Sequence, residues 1–290
     1  MSSRAEIITP TLLREWDLPS GAASKYDRGQ FLLVGGARRA PGAAALAGLA
    51  ALRVGAGRLT MAVGESVAVA LAVAVPESGV IGLAETPTGS VRGISHEQLT
   101  DELQGANAVV IGPGLDHPGE TAALLRALVA QVGEDTRIVL DAYALGVLAD
   151  VADETAVWRD RLVLTPNLTE AAWLLGRDID DLRTDLGEIA DRYGAVVTCF
   201  GSVAAPDGRL WQVGSGQAGL GTSGSGDVLA GAVGGLLARG ASVEQAACWG
   251  THLHAAAGDR LAARIGPTGF LARELVAELP TVLLELGQRV

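Results

Sequence analysis

Again and again the chain spells a short apolar run, then a turn, then a longer segment of helical spacing. That repetition restricts the folds open to it more than any other feature. Phe31-Leu32-Leu33-Val34 passes through Gly35-Gly36 into an Ala/Leu-rich segment from Gly42 to Val54, which is the order strand, turn, helix. Arg58 to Val63, Ala108-Val109-Val110-Ile111, Arg137-Ile138-Val139-Leu140, Leu162-Val163-Leu164 and Ala195-Val196-Val197-Thr198 read as further strands. A strand exposed on one face alternates apolar and polar residues. These do not alternate, so each expects cover on both faces, the pattern of a parallel sheet. The spacing predicts an α/β fold of repeated βαβ units. In the last third, Val228 to Arg239, Val243 to Arg264 and Ala272 to Leu286 read as helices, with Gly240 placed to end the first and Pro280 to kink or end the last.

With 290 residues, 49% of them hydrophobic, the chain can bury a sizeable core and is not a disordered polymer. No linker divides it, so residues 1–290 are expected to form one domain. A net charge of −11 opposes non-specific attraction to nucleic-acid phosphates or anionic lipid. Lys25 is the only lysine and the arginines are scattered, so neither nucleic acid nor membrane is an expected partner. The longest apolar stretches, Ala40 to Leu52 and Val67 to Val75, fall short of the roughly 18 residues that span a bilayer. Met1 to Glu6 lacks the apolar core of a secretory signal, and Cys199 and Cys248 stand far apart without metal-binding spacing. A reducing, cytoplasmic setting is expected.

The densest candidate for chemistry is Gly221-Thr222-Ser223-Gly224-Ser225-Gly226-Asp227, running into Val228-Leu229-Ala230-Gly231. Glycines allow a turn whose successive N–H groups converge, and the following helix adds the positive end of its dipole. Gly224, Ser225 and Gly226 are therefore a candidate phosphate cradle that needs no lysine. Asp227 would stand beside that phosphate, placed to take the proton of a hydroxyl about to be phosphorylated. The plainer alternative is a glycine turn with an ordinary capping aspartate.

Thr165-Pro166-Asn167-Leu168-Thr169-Glu170 ends one strand and opens a helix. Asn167 and Glu170 fit a capping box, and the Glu170 carboxylate also suits the water shell of Mg²⁺ between nucleotide phosphates; both can hold together. Asp141 closes a strand at the edge where open α/β sheets bind ligands, or merely starts a loop. Gly112-Pro113-Gly114 either lets a ring or phosphate lie on bare backbone or is a plain turn. His252 and His254, two apart on one helix, make a poor metal pair and are expected to be structural.

Several segments, taken in order, resemble the ADP- or ATP-dependent NAD(P)H-hydrate dehydratases, a branch of the ribokinase-like superfamily. They are Lys25 to Gly29, Val34-Gly35-Gly36 through Pro41-Gly42-Ala43-Ala44, Ala50 to Gly57, Ile111-Gly112-Pro113-Gly114-Leu115, Leu140-Asp141-Ala142, Gly224 to Gly231, and His252 to Asp259. The likeness covers nearly the whole chain. It implies a ribokinase-like fold, a central mostly parallel sheet with helices on both faces. It also implies a repair reaction in which the S epimer of hydrated NADH or NADPH is phosphorylated on its ring hydroxyl by ADP or ATP and then loses phosphate. Hydroxide leaves poorly because water has a pKa of about 15.7, whereas a phosphate monoester titrates near about 6. The resemblance further implies Mg²⁺ on the phosphoryl oxygens and Asp227 as the base. Ala43, Gly114, Asn167 and Asp227 would meet the hydrated dinucleotide, Gly224, Ser225 and Gly226 the nucleotide, and the assembly would be a dimer or tetramer.

The chain also departs from the family. A Pro-His-Pro-Gly-Glu segment is here Pro166-Asn167-Leu168-Thr169-Glu170, with a non-titrating side chain in place of histidine. A Lys-Gly pair and following Thr in a nucleotide-binding hairpin are here Phe200-Gly201-Ser202, and the hairpin to Gly208 looks shortened. Losing that cationic phosphate contact would cost about 1–3 kcal/mol of nucleotide affinity. Leu220-Gly221-Thr222-Ser223 differs modestly as well. Asn167 with Glu170 looks closer to the Asn-x-x-Glu of superfamily kinases for vitamin precursors or sugars. Phe200 suggests a catalytically inactive nucleotide-binding homologue. Dehydratase, small-molecule kinase and binding protein all remain open on the residues alone.

Overall fold

Every short apolar run read above as a strand is a strand covered on both faces. A computed structural model describes residues 5–20, 24–214, 216 and 218–288. Its strands are β1 (Glu6–Ile8), β2 (Gln30–Val34), β3 (Arg58–Gly64), β4 (Ser78–Leu83), β5 (Ala108–Ile111), β6 (Arg137–Leu140), β7 (Leu162–Leu164), β8 (Ala195–Cys199), β9 (Ser202–Ala204) and β10 (Leu210–Val213). They form one sheet in the order β1-β10-β9-β8-β7-β6-β5-β2-β3-β4. β9 runs antiparallel to both neighbours, and every other pairing is parallel.

Successive side chains of a strand point to opposite faces, and both faces here are apolar. Phe31, Leu33, Val110, Val139 and Val163 enter one core, and Leu32, Val34, Val109, Ile111, Ile138 and Leu140 the other. The first core is roofed by helices Pro41–Arg53, Ser225–Ala238, Val243–Ile265 and Ala272–Glu285, the second by helices that include Pro118–Val129 and Leu182–Tyr193. Glycine sets how closely the first roof packs. A Cβ on Gly231 would lie 2.1 Å from the Ala47 carbonyl oxygen, so helices Pro41–Arg53 and Ser225–Ala238 touch backbone to backbone.

Four strands lie outside the runs read from the sequence. β1 has three residues at the sheet edge, β4 carries glycines and is half-exposed at the other edge, and β9 and β10 belong to the short antiparallel excursion. None carries the long β-branched run that marks a central strand. Helix Ser225–Ala238 begins three residues before the expected Val228, because left-handed Gly224 turns the chain straight into it. Pro280 lies inside helix Ala272–Glu285 without ending it. The buried Leu275, Leu279, Val282 and Leu283 hold that helix to the core on either side of the proline. Among the described residues no helix is long and apolar enough to cross a membrane, and Cys199 and Cys248 are buried free thiols.

From β2 the chain builds outward through β3 and β4, then crosses back to place β5 on the other side of β2. At such a reversal the loops leave in opposite directions and open a crevice beyond the carboxyl ends of the strands. Here those loops are Gly35-Gly36 and Gly112-Pro113-Gly114. They are tied together, the Gly36 N–H donating to Pro113 O at 2.8 Å and the Ala37 N–H to Gly114 O at 2.8 Å.

Candidate active site

The glycine turn expected to cradle a phosphate stands at the mouth of this crevice. Gly224 has φ 87°, and a Cβ there would lie 2.6 Å from Leu46 Cδ1 and 3.1 Å from Ala272 Cβ. Glycine alone meets both the conformation and the space. The Ser225 N–H donates to Thr222 O at 3.2 Å, and the first helical bond runs from the Val228 N–H to Gly224 O, also 3.2 Å. The Gly226 and Asp227 N–H groups are left as first-turn donors without an acceptor among the described residues. Gly226 is exposed, and a Cβ on it would meet nothing within 4 Å, so open space lies beside it. Ser225 is turned inward: its side chain is buried and its Oγ lies 2.8 Å from His254 Nε2.

Asp227 leans back over the turn, its Oδ2 lying 3.8 Å from where a Gly224 Cβ would be. Burial pushes its carboxyl up to about 6, and the charge of Glu170 adds to the effect. Asp141, at the end of β6, is buried. Its pKa is raised to about 8, mainly by burial and further by Asp227 and Glu170, although the Thr165 hydroxyl donates to Oδ1 at 2.7 Å and pulls it down. Glu170 is raised by burial as well. Three carboxylates from three separate elements therefore sense one another, and no cation is among the groups that shift them.

This cluster has a consequence for stability. The folded chain keeps protons that the unfolded chain would release at the ordinary carboxylate pKa of about 4. The stabilisation is complete below that value and is lost as pH rises through about 6 for Asp227 and about 8 for Asp141. Asp185, held below the usual range by the Arg177 guanidinium, acts only at lower pH and in the opposite sense. Burial lowers His252 and holds His254 down to about 4, so these two also act in the opposite sense, but only up to the ordinary imidazole pKa of about 6.5. The thermal midpoint is therefore expected to fall between about pH 7 and about pH 9, and Asp141→Asn to flatten the fall. A midpoint that climbs over this interval would contradict the cluster.

Asn167 and Glu170 form the expected capping box on helix Leu168–Leu175. The Glu170 N–H donates to Asn167 Oδ1 at 3.0 Å and the Asn167 N–H to Glu170 Oε2 at 2.9 Å. Asn167 is exposed, and the Glu170 charge raises the pKa of both Asp141 and Asp227. Ala43 and Gly114 come together across the crevice, since a Cβ on Gly114 would be 3.2 Å from Ala43 Cβ and 3.2 Å from Gly36 Cα. Phe200 occupies the tight β8–β9 turn with φ 48° and is 83% exposed. It directly follows buried Cys199, whose thiol is pushed up to about 12 by burial and by Glu170. His252 and His254 are both buried, as expected of structural histidines. The His254 bond to Ser225 was not anticipated. Nor was Asp259, whose two carboxylate oxygens accept the Gly216 N–H at 3.2 and 3.0 Å just before the glycine turn.

The sequence model of the family described as NAD(P)H-hydrate dehydratase matches residues 31–281. The chain belongs to that family. An ADP-dependent (S)-NAD(P)H-hydrate dehydratase of Xanthomonas campestris pv. campestris is 43% identical to it over 288 residues, covering 97% of this chain and 96% of the relative. The bifunctional NAD(P)H-hydrate repair enzyme Nnr of Escherichia coli K12 is 34% identical over 279 residues, 93% of this chain and 51% of that protein. The chain thus spans about half the length of the bifunctional relative. The ADP/ATP-dependent NAD(P)H-hydrate dehydratase of Bacillus subtilis, co-crystallized with ATP/Mg²⁺, superposes with a TM-score of 0.78 at 26% identity, covering 98% of this chain and 99% of that one. The ribokinase-like fold expected from the sequence is that of this NAD(P)H-hydrate dehydratase family member.

Proposed function

We propose that this chain dehydrates the S epimer of hydrated NADH or NADPH, using ADP or ATP as phosphoryl donor. The observation that carries it is Asp227, a carboxylate with a pKa of about 6 in the same helical turn as two amides without acceptors among the described residues. At neutral pH most of this carboxylate is ionised, and its pKa is near the value best suited to accepting a proton. Asp227 takes the proton of the ring hydroxyl. The hydroxyl oxygen then bonds the terminal phosphorus, and the bridging P–O bond breaks with its electron pair on the departing AMP or ADP. The Gly226 and Asp227 N–H groups oppose the charge that grows on the transferring oxygens. The ring C–O bond breaks next, phosphate keeping the electron pair, and loss of a proton from the adjacent ring carbon completes a net loss of water. Ala43, Gly114 and Asn167, around the same strand ends, are suited to line the dinucleotide side, with Gly224 shaping the turn.

Among the described residues no group of three His, Cys, Asp or Glu side chains could hold a metal ion directly. What is present is hard carboxylate oxygen without a compensating cation. That fits Mg²⁺ arriving on nucleotide phosphates with most of its waters, Glu170 contacting it through one of them. When bound, the ion would neutralise charge on the phosphates. The chain is inferred to act as one domain over residues 1–290, in the cytoplasm and as a dimer or tetramer. The single ten-stranded sheet, pairing β1 with β10, supports the first of these.

The capping box of Asn167 and Glu170 is equally compatible with the kinase alternative, so turnover has to separate the two. Incubation of hydrated NADH with ADP or ATP and Mg²⁺ is expected to restore reduced-nicotinamide absorbance. A stable phosphorylated alcohol would instead indicate the kinase, and binding without turnover the inactive homologue. Gly226→Ala separates stability from function. The methyl group should raise stability by about 0.5–1 kcal/mol, as alanine does in a helix, yet lower turnover by about 10²-fold because it enters the space of the phosphoryl. Thermal unfolding and steady-state kinetics on one preparation check both signs.

A further inference from the structure

Two histidines are buried on helix Val243–Ile265, and they are not equivalent. His252 Nδ1 has no hydrogen-bond partner among the described residues. His254 Nε2 lies 2.8 Å from Ser225 Oγ, and both side chains are buried. Ser225 opens helix Ser225–Ala238, and Gly226 and Asp227 follow it immediately. A serine near a helix start commonly caps its own helix. Here Gly224 is the cap and makes no side-chain bond, while the Ser225 hydroxyl reaches across to a neighbouring helix.

Few other contacts orient this turn. Leu46 and Ala272 crowd Gly224, and Thr222 O accepts the Ser225 N–H. All of these act before Gly226. Among the described residues His254 is the side chain seen to hydrogen-bond residues 224–227, and it does so through Ser225. Burial holds the imidazole pKa down to about 4, so near neutrality the ring presents one donor and one acceptor nitrogen rather than a charge. A neutral ring keeps no positive charge that would draw the phosphoryl away from the amides.

We propose that His254 is a positioning residue: by holding Ser225 Oγ it sets the direction of the Gly226 and Asp227 N–H groups and of the Asp227 carboxylate, a role that rests on the phosphoryl-transfer function above. Second-layer hydrogen bonds of this kind matter because an error of about 1 Å in a reacting group can cost about 10²-fold in rate.

The test compares Ser225→Ala, His254→Leu, their double variant and His254→Gln, whose amide nitrogen can stand where Nε2 does. Both single variants are expected to lower kcat by about 10–10²-fold with little change in KM for hydrated NADH. The double variant should be no worse than the poorer single, and His254→Gln should recover much of the rate. His252→Leu, which removes the unpartnered nitrogen and leaves Ser225 alone, should keep the parent kcat. Thermal midpoints of every variant separate loss of fold from loss of rate. Single variants that lose stability but keep kcat, or losses that multiply in the double variant, would overturn the role. If the parent itself fails to dehydrate hydrated NADH, the proposed function fails separately. Calorimetric titration with ATP and Mg²⁺ then decides, because unchanged affinity in Ser225→Ala and His254→Leu would overturn the positioning role and a shared, non-additive weakening would uphold it.

Discussion

Asp227→Asn is expected to lower kcat for dehydration by about 10²–10⁴-fold, the range general base catalysis supplies, while the nucleotide still binds. Asparagine keeps the shape and one acceptor oxygen of aspartate but cannot carry the hydroxyl proton away. It also removes one negative charge beside Glu170 and the incoming phosphates, so nucleotide affinity should hold or improve. The parent rate should rise with pH through about 6 as the Asp227 carboxyl ionises, and the residual rate of the variant should lack that step. Asp141 is a poor substitute base, because burial keeps its pKa at about 8 and the group largely protonated near neutrality. Steady-state rates across pH, with nucleotide binding followed by calorimetry, check these expectations together. A variant that keeps the parent rate would move the proton transfer to another group.

Gly112→Ala should be the most damaging small substitution at the crevice, destabilising the fold by about 3–5 kcal/mol. Gly112 has φ 127°, a conformation that L side chains rarely adopt, and a Cβ there would lie 1.8 Å from the Asp141 carbonyl oxygen. Both obstacles are backbone, so no rotamer change relieves them. The Gly112 N–H donates to Val34 O at 3.0 Å and the Asp141 N–H to Ile111 O at 3.1 Å, so any shift would open the ends of β2, β5 and β6 together. Denaturant unfolding measures the loss, with poor soluble yield as its severe form. A change below about 1 kcal/mol would mean that the crevice floor yields far more readily than close-packed backbone does.

The contrast between Asn167 and Ser225 shows how far local sequence reaches. Asn167 and Glu170 stand three residues apart, and the capping box they form is a local hydrogen-bond pattern that spacing alone predicts. Ser225 and His254 are 29 positions apart, and nothing in their spacing tells that one hydroxyl leaves its own helix for another. The same divide separates the strands. β5, β6 and β7 were legible because burial on both faces demands unbroken apolar runs, whereas β1 and β4, at the two edges, carry no such demand.

From the order of its residues alone this chain determined a parallel α/β sheet, a glycine turn opening a late helix with Asp227 in its first turn, and strand ends rich in glycine, because backbone conformation and face burial are local requirements. Tertiary structure decided that Asp141, Glu170 and Asp227 share one desolvated cluster, that Gly226 rather than Ser225 faces open space, and that His254 stands behind the turn. Those outcomes depend on which distant surfaces exclude water and which backbones touch, and both arise only when the helices close over the sheet.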